Sequence, residues 1–362
     1  MTQFREDISV YRIISILGGC FQNRAIVNLA KHVPSDRMLA VKRYQLEKIR
    51  DSYLLDLIEK EIILTRQLQH PNIISLHTAF VYGPEIFVIS PLQAYGSCKS
   101  LINSHFNEGL PELAVILILR DVTEAISYLH KIGFIHRAIR ASHILISATG
   151  KACLSGLRYA CSIVNNGKWQ KAIHSFPLTT KSNLNWLSPE LLEQNLKGYN
   201  EKSDIYSLGM VCCELANGRE PFAEVDTTLM LVEKVRGCAP SLLDCNTIFS
   251  TSEDRECQGD CDVPVSWSKR RFNSHLHEFC YICLERESSN RPSAAQLLQH
   301  PVFKLIKKGA SLPELLKPAI PLSDKVAFNG EEMTNVDQIE HFSDMDMSLY
   351  DWDFSLDENG EH

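Results

Sequence analysis

Four cysteines in two close pairs, Cys257 with Cys261 and Cys280 with Cys283, have a spacing that could do chemistry. A C-x3-C pair followed by a C-x2-C pair could present four thiolates to a zinc ion. Cys280 and Cys283, however, fall within the apolar helical pattern of residues 276–284, where thiols serve as small core residues. No metal is expected. A second group is Trp352-Asp353-Phe354, which follows an acidic run near the C-terminus. Two aromatics two positions apart project to the same side of an extended chain. In a segment with little else to pack, such a pair is a short docking anchor of the kind that supplies binding hot spots.

The rest of the chain has ample material for a core. Of 362 residues, 44% are hydrophobic and 22% charged, the balance of a globular protein. No apolar run approaches the roughly 18 residues that would span a bilayer, so no membrane partner is expected. The N-terminal MTQFREDISV has no apolar h-region, so the chain is expected to be cytoplasmic, with the nucleus as a second compartment. Twelve cysteines then read as reduced thiols rather than a disulfide framework. The net charge of −7 is uneven: residues 321–362 hold twelve acids against Lys325 alone, which leaves +4 on residues 1–320. No dense Lys/Arg stripe appears, so nucleic acid is not an expected partner.

Stepping along the chain, short apolar runs at 10–17, 25–31 and 39–44 flank a Gly-Gly turn and read as strands. Residues 51–69 carry apolar side chains at near-helical period, and 73–76, 80–82 and 86–89 read as further strands. After Gly96 the pattern turns helical, over 113–130, 204–217, 227–236, 275–285 and 294–300. The expected fold class is α+β, with a sheet-dominated small lobe and a helical large lobe. Residues 244–270 read as a polar surface insertion, and 307–362 as an acidic tail, largely disordered alone.

The order of these segments resembles a protein kinase. Ile16-Leu17-Gly18 followed by Val27-Asn28-Leu29-Ala30 resembles the glycine-rich hairpin, and Leu39-Ala40-Val41-Lys42 the V-A-I-K strand. Glu61 stands where the αC glutamate belongs, nine residues before His70-Pro71-Asn72-Ile73. His136-Arg137 resembles the start of the catalytic loop and Ser188-Pro189-Glu190 the A-P-E motif. Asp204-Ile205-Tyr206-Ser207 resembles the anchoring helix, and Arg291 the partner of Glu190. The resemblance implies a bilobal kinase-like domain over 11–306, followed by the tail 307–362.

Phosphoryl transfer needs metal ions on the phosphates and a carboxylate that orients the nucleophile. At the three positions that supply these groups the sequence has Ala138, His143 and Gly156. Alanine has no oxygen to accept a proton, a histidine nitrogen is a poor Mg²⁺ ligand, and glycine has no side chain. The second and third glycines of the phosphate loop fall near Cys20 and Asn23. A pseudokinase with no catalytic residue is therefore expected. The resemblance implies that Lys42 and Glu61 still meet phosphates. It also implies that Leu17, Gly18, Val27, Ala40 and Leu145 surround an adenine, and that the hinge of Ser90, Pro91 and Gln93 offers the Pro91 carbonyl and the Gln93 N–H.

A narrower resemblance follows from residues 141–147, from Leu154-Ser155-Gly156-Leu157-Arg158, from Asn185-Trp186-Leu187-Ser188-Pro189-Glu190 and from Trp352-Asp353-Phe354. These are similar to the STRAD pseudokinase adaptors, relatives of the sterile-twenty kinases. That family is implied to bind ATP without turnover, and with the metal-ligand positions lost here binding is expected to depend little on Mg²⁺. It is also implied to hold a liver kinase B-type serine/threonine kinase active in a heterotrimer. The third member is a mouse-protein-25-type helical-repeat scaffold that takes the tail motif in a pocket. Family members end at that motif, whereas eight residues follow Phe354 here. Two rival readings are a residual, metal-independent kinase that uses Lys42, and a nucleotide sensor whose ligand gates partner binding.

Overall fold

A computed structural model describes residues 4–176, 181–194, 196–250 and 265–324. The chain divides into two compact units: residues 1–94 with 320–362, and residues 95–319.

In the first unit, β1 (Tyr11–Cys20), β2 (Ala25–His32) and β3 (Arg37–Gln45) form an antiparallel meander. Helix α1 (Ser52–Gln67) follows, then β4 (Thr78–Tyr82) and β5 (Glu85–Pro91), in the sheet order β1-β2-β3-β5-β4. Alternate residues of the strands build its core: Leu39, Val41, Phe87 and Ile89 pack with Tyr11, Ala30 and Phe80. Phe80 and Phe87 face each other across β4 and β5 with ring centroids 5.4 Å apart. Helix α1 starts at Asp51, whose carboxylate accepts from the Tyr53 N–H at 3.0 Å. Its apolar stripe of Leu54, Leu57, Ile58 and Ile62 is buried.

The expected strand at 73–76 is instead an irregular link. Ile73 closes a turn by donating its N–H to the His70 carbonyl at 3.1 Å, so the run begins bent away from strand geometry.

The second unit is helical, with small β pairings. It contains β6 (Gly96–Ser97), α2 (Cys98–His105), α3 (Glu112–Lys131), β7 (Phe134–Ile135), β8 (Ile144–Ile146) and β9 (Ala152–Leu154). Then come β10 (Cys161–Ser162), β11 (Val164–Asn165), β12 (Lys168–Trp169), α4 (Pro189–Glu193), α5 (Lys202–Asn217) and α6 (Thr227–Arg236). The remainder is α7 (Cys245–Ser250), α8 (Val265–Lys269), α9 (Ser274–Cys283), α10 (Ala294–Leu297) and α11 (Leu312–Leu315). Strand β8 pairs with both β6 and β9, which holds the loop before it in a fixed position. Helix α5 is buried on every side from Ser203 to Asn217, the pattern of a central core helix. The Arg291 guanidinium, itself buried, grips the Glu190 carboxylate through two bonds of 2.6 and 2.9 Å.

Three stretches differ from the expected pattern. Helix α2 was unmarked because its eight residues are largely polar; Ser97 caps it by accepting from the Ser100 N–H at 3.1 Å. The polar insertion is anchored at both ends. The buried Asp244 carboxylate accepts from the N–H groups of Asn246, Thr247 and Phe272 and from His277, and Trp267 is also buried. Residues 307–324, expected within an extended tail, carry α11, with Leu312 and Leu316 fully buried. Trp352, Asp353 and Phe354, like Cys257 and Cys261, lie outside the described residues. Among the described residues no helix is long and apolar enough to cross a membrane.

Candidate functional site

In the sheet unit the retained groups converge on the β3–α1 layer. Lys42 Nζ donates to Glu61 Oε2 at 3.1 Å, with both side chains largely shielded from solvent. The register places Val27 opposite Lys42 and Gly18 opposite Val27, while Ala40 pairs with Ser90. Leu17 sits at a bulge between Ile16 and Gly18, half-buried. Tyr44 Oη donates to the same Glu61 oxygen at 2.6 Å, and the Lys42 ammonium lies 4.6 Å from the Tyr44 ring centre. Phe21 meets that ring edge-on at 6.0 Å.

Phe21, Gln22 and Asn23 all have left-handed backbone (φ 53, 56 and 63), and the Arg24 N–H closes the turn onto the Phe21 carbonyl at 3.1 Å. Three successive residues thus take a backbone conformation that side chains rarely adopt, at a tip whose Phe21 ring packs on Tyr44. Gln93 Nε2 approaches the Pro91 carbonyl at 3.4 Å, a long and weak contact.

In the helical unit the loop 136–143 hangs from one carboxylate. Asp204, fully buried, accepts from the His136 N–H at 2.8 Å, the Arg137 N–H at 2.9 Å and His130 Nε2 at 2.8 Å. Burial alone would raise this carboxyl, but the bonds from His130 and His136 outweigh it and hold it below its ordinary value. Arg137 is held in left-handed backbone at φ 62. Its side chain donates to the Tyr159 carbonyl at 2.6 Å and to Tyr199 Oη at 2.9 Å.

Ala138, His143 and Gly156 meet directly. His143 Nδ1 lies 2.6 Å from the Ala138 carbonyl and must carry the proton. Nε2 then accepts from Arg140 Nη2 at 3.3 Å. Burial, followed by the Arg140 charge, pushes the imidazole well below its ordinary value, so it is neutral. Both ring nitrogens are engaged, which leaves no lone pair for a metal ion. Gly156 has φ 86, and a Cβ built there would lie 2.7 Å from His143 Nδ1 and 2.8 Å from its Cγ. The imidazole fills the space that any side chain at position 156 would need. Leu145 lies just beyond in β8, paired with Cys153.

Sequence reasoning assigned no role to two buried charges here. Glu214 Oε2 accepts from the Ala141 N–H at 3.0 Å and from Trp186 Nε1 at 2.8 Å, which ties the loop to the segment before α4. Lys234, also fully buried, donates to the carbonyls of Leu184, Asn185 and Leu187. An acid within the apolar run of α5 was the one available signal for Glu214. Lys234 had none, because a helical lysine normally faces water.

Residues 18–303 match the protein kinase domain family. The chain is 37% identical over 384 residues to STE20-related kinase adapter protein alpha of Homo sapiens, which covers 98% of this chain and 86% of the relative. It is 40% identical over 347 residues to the alpha protein of Gallus gallus, covering 90% and 88% respectively. To the beta protein of Homo sapiens it is 38% identical over 336 residues, covering 86% and 80%.

Two stability measurements test this geometry. Gly156→Ala should cost about 2–4 kcal/mol, from left-handed backbone plus overlap with the imidazole. In a His143→Ala background only the backbone share, about 1–2 kcal/mol, should remain; equal costs in both backgrounds would contradict the contact. Burial raises the Glu214 carboxyl from 4.5 to about 7. The folded chain therefore keeps a proton that the unfolded chain releases, and stability falls as pH rises between these values. Glu214→Gln cannot ionise, so urea unfolding should show the variant gaining on the parent by about 3 kcal/mol from pH 4.5 to 8. A difference that does not vary with pH would count against it.

Proposed function

Because the chain belongs to the protein kinase domain family, and within it to the STE20-related kinase adapter proteins, we propose that it acts by binding rather than by phosphoryl transfer. The observation that carries this reading is the imidazole of His143 seated against Gly156 and bonded to the Ala138 carbonyl. The positions where a kinase keeps its base and metal carboxylates are thus occupied by a closed, neutral contact. Mg²⁺ prefers several oxygen ligands in octahedral order. The side chains at these three positions offer it none, so no step through a metal ion is derived.

ATP is the proposed ligand, held without Mg²⁺. In support, Lys42 keeps a largely shielded ammonium beside Glu61, fit for a charge-assisted contact with phosphate. An adenine amine would displace the weak Gln93–Pro91 contact. The proposed partner is a serine/threonine kinase of the liver kinase B type. A mouse-protein-25-type scaffold would take Trp352, Asp353 and Phe354. An adapter whose surface fits the active form of a partner kinase better than its inactive form shifts that partner toward activity. Differential affinity is sufficient, and no chemistry in this chain is required.

The second reading, a residual metal-independent kinase, draws on the retained Lys42–Glu61 pair. Incubating the purified chain with radiolabelled ATP and a serine/threonine peptide separates the two. Incorporation should not exceed that of a Lys42→Ala control, with or without Mg²⁺. Transfer above that control would overturn the adapter reading.

A further inference from the structure

Four buried thiols gather where α5 and α9 cross in the helical unit. The crossing is close because Gly209 of α5 has no side chain. A Cβ there would lie 2.8 Å from both Cys283 Cβ and Leu284 Cγ. The approach brings Cys213 of α5 and Cys280 of α9 to a sulfur–sulfur distance of 3.3 Å. A disulfide is about 2.05 Å long, so the two sulfurs stand only about 1.3 Å beyond bonding distance. Among the described residues no group of three His, Cys, Asp or Glu is arranged to hold a metal ion.

The thiols differ in access and in charge environment. A surface cavity of about 490 Å³ is lined by Pro240, Leu242, His277, Cys280 and Tyr281, among others. Cys280 is 4% exposed and lines it; Cys212, Cys213 and Cys283 are at most 1% exposed and do not. His277, one turn before Cys280, also lines the cavity, and its Nε2 lies 2.9 Å from the buried Asp244 carboxylate. Hydrogen bonds from Cys212 and Cys213, with His277 adding to them, hold the Cys280 thiol well below its ordinary value. The same sharing, with burial, raises Cys213. The pair therefore has a direction, with Cys280 the nucleophile and Cys213 the second thiol.

We propose that Cys280 is a peroxide-sensitive modification site and that Cys213 resolves its oxidised form into a disulfide joining α5 to α9. The Cys280 thiolate attacks one oxygen of hydrogen peroxide; the O–O bond breaks, hydroxide leaves, and Cys280 becomes a sulfenic acid. Cys213 passes its proton to that hydroxide and attacks Cys280 Sγ. The S–S bond forms as the S–O bond breaks, and the departing hydroxide takes up the proton that the Cys280 thiol released on forming its thiolate. Over both steps two thiols lose two electrons and two protons to one peroxide, with two waters as product.

The test treats the full chain with dilute hydrogen peroxide under native conditions, blocks remaining thiols, and maps peptides by mass spectrometry without reductant. The expected product is one cross-link between the peptide holding Cys213 and the peptide holding Cys280. It should be reversed by dithiothreitol and lost in both Cys213→Ser and Cys280→Ser. In Cys213→Ser, Cys280 should instead be trapped as a sulfenic acid by dimedone, which keeps the test decisive if Cys280→Ser does not fold. The exposed Cys238 reports unselective oxidation within the same sample. Three results would overturn the proposal. One is recovery of Cys213 and Cys280 as free thiols under conditions that oxidise Cys238. The others are a cross-link that survives Cys213→Ser, and a bond between Cys280 and Cys238.

Discussion

The Asp204 carboxylate is the constraint on which the loop 136–143 depends. It is fully buried, and its two oxygens are shared among the N–H groups of two successive loop residues and the ring of His130. Leaving a buried charge without partners costs several kcal/mol, so the loop cannot move away without disrupting the core of α5. From this anchor order spreads outward. His136 joins the Ser155 carbonyl to the Ala138 N–H, and Arg137 reaches Tyr159 and Tyr199. Glu214, ten residues further along the same helix, holds Ala141 and Trp186.

The loop's frame is therefore held, while positions 138, 143 and 156 carry alanine, histidine and glycine. These residues form a contact rather than a void. His143 and Gly156 fit each other: the ring needs a glycine beside it, and the glycine has a left-handed backbone that side chains rarely adopt. Restoring a carboxylate at position 156 alone would meet the imidazole before it met any ligand. In the proposed reading no turnover is needed, since stabilising one conformation of a partner asks only for shape and differential affinity.

Much of this was readable in the sequence, and what was not has physical reasons. The period-two runs of β1 to β3 and the helical stripes of α1, α3 and α5 reflect burial of one face or of a whole helix, and such burial leaves a pattern. The short, polar α2 leaves none, because Ser97 and its neighbours rather than an apolar face define it. The alanine, histidine and glycine at 138, 143 and 156 were visible as residue types. That His143 would occupy the space at Gly156 was not, because the two lie thirteen positions apart and meet only through the pairing of β8 with β9. The packing of Phe21 on Tyr44 depends on a left-handed turn that residues other than glycine rarely adopt. The burial of Leu312 and Leu316 was hidden by the acidic composition of the segment that follows them.

The central claim is that this chain works through differential binding, and the most direct measurement is its affinity for two forms of a partner kinase. A liver kinase B-type domain would be locked in its active shape in one sample and its inactive shape in the other, and each titrated with the full chain and ATP. The account predicts at least about tenfold tighter binding to the active form, a difference of roughly 1.4 kcal/mol. Equal affinities would contradict it, because a ligand that binds both states alike shifts neither.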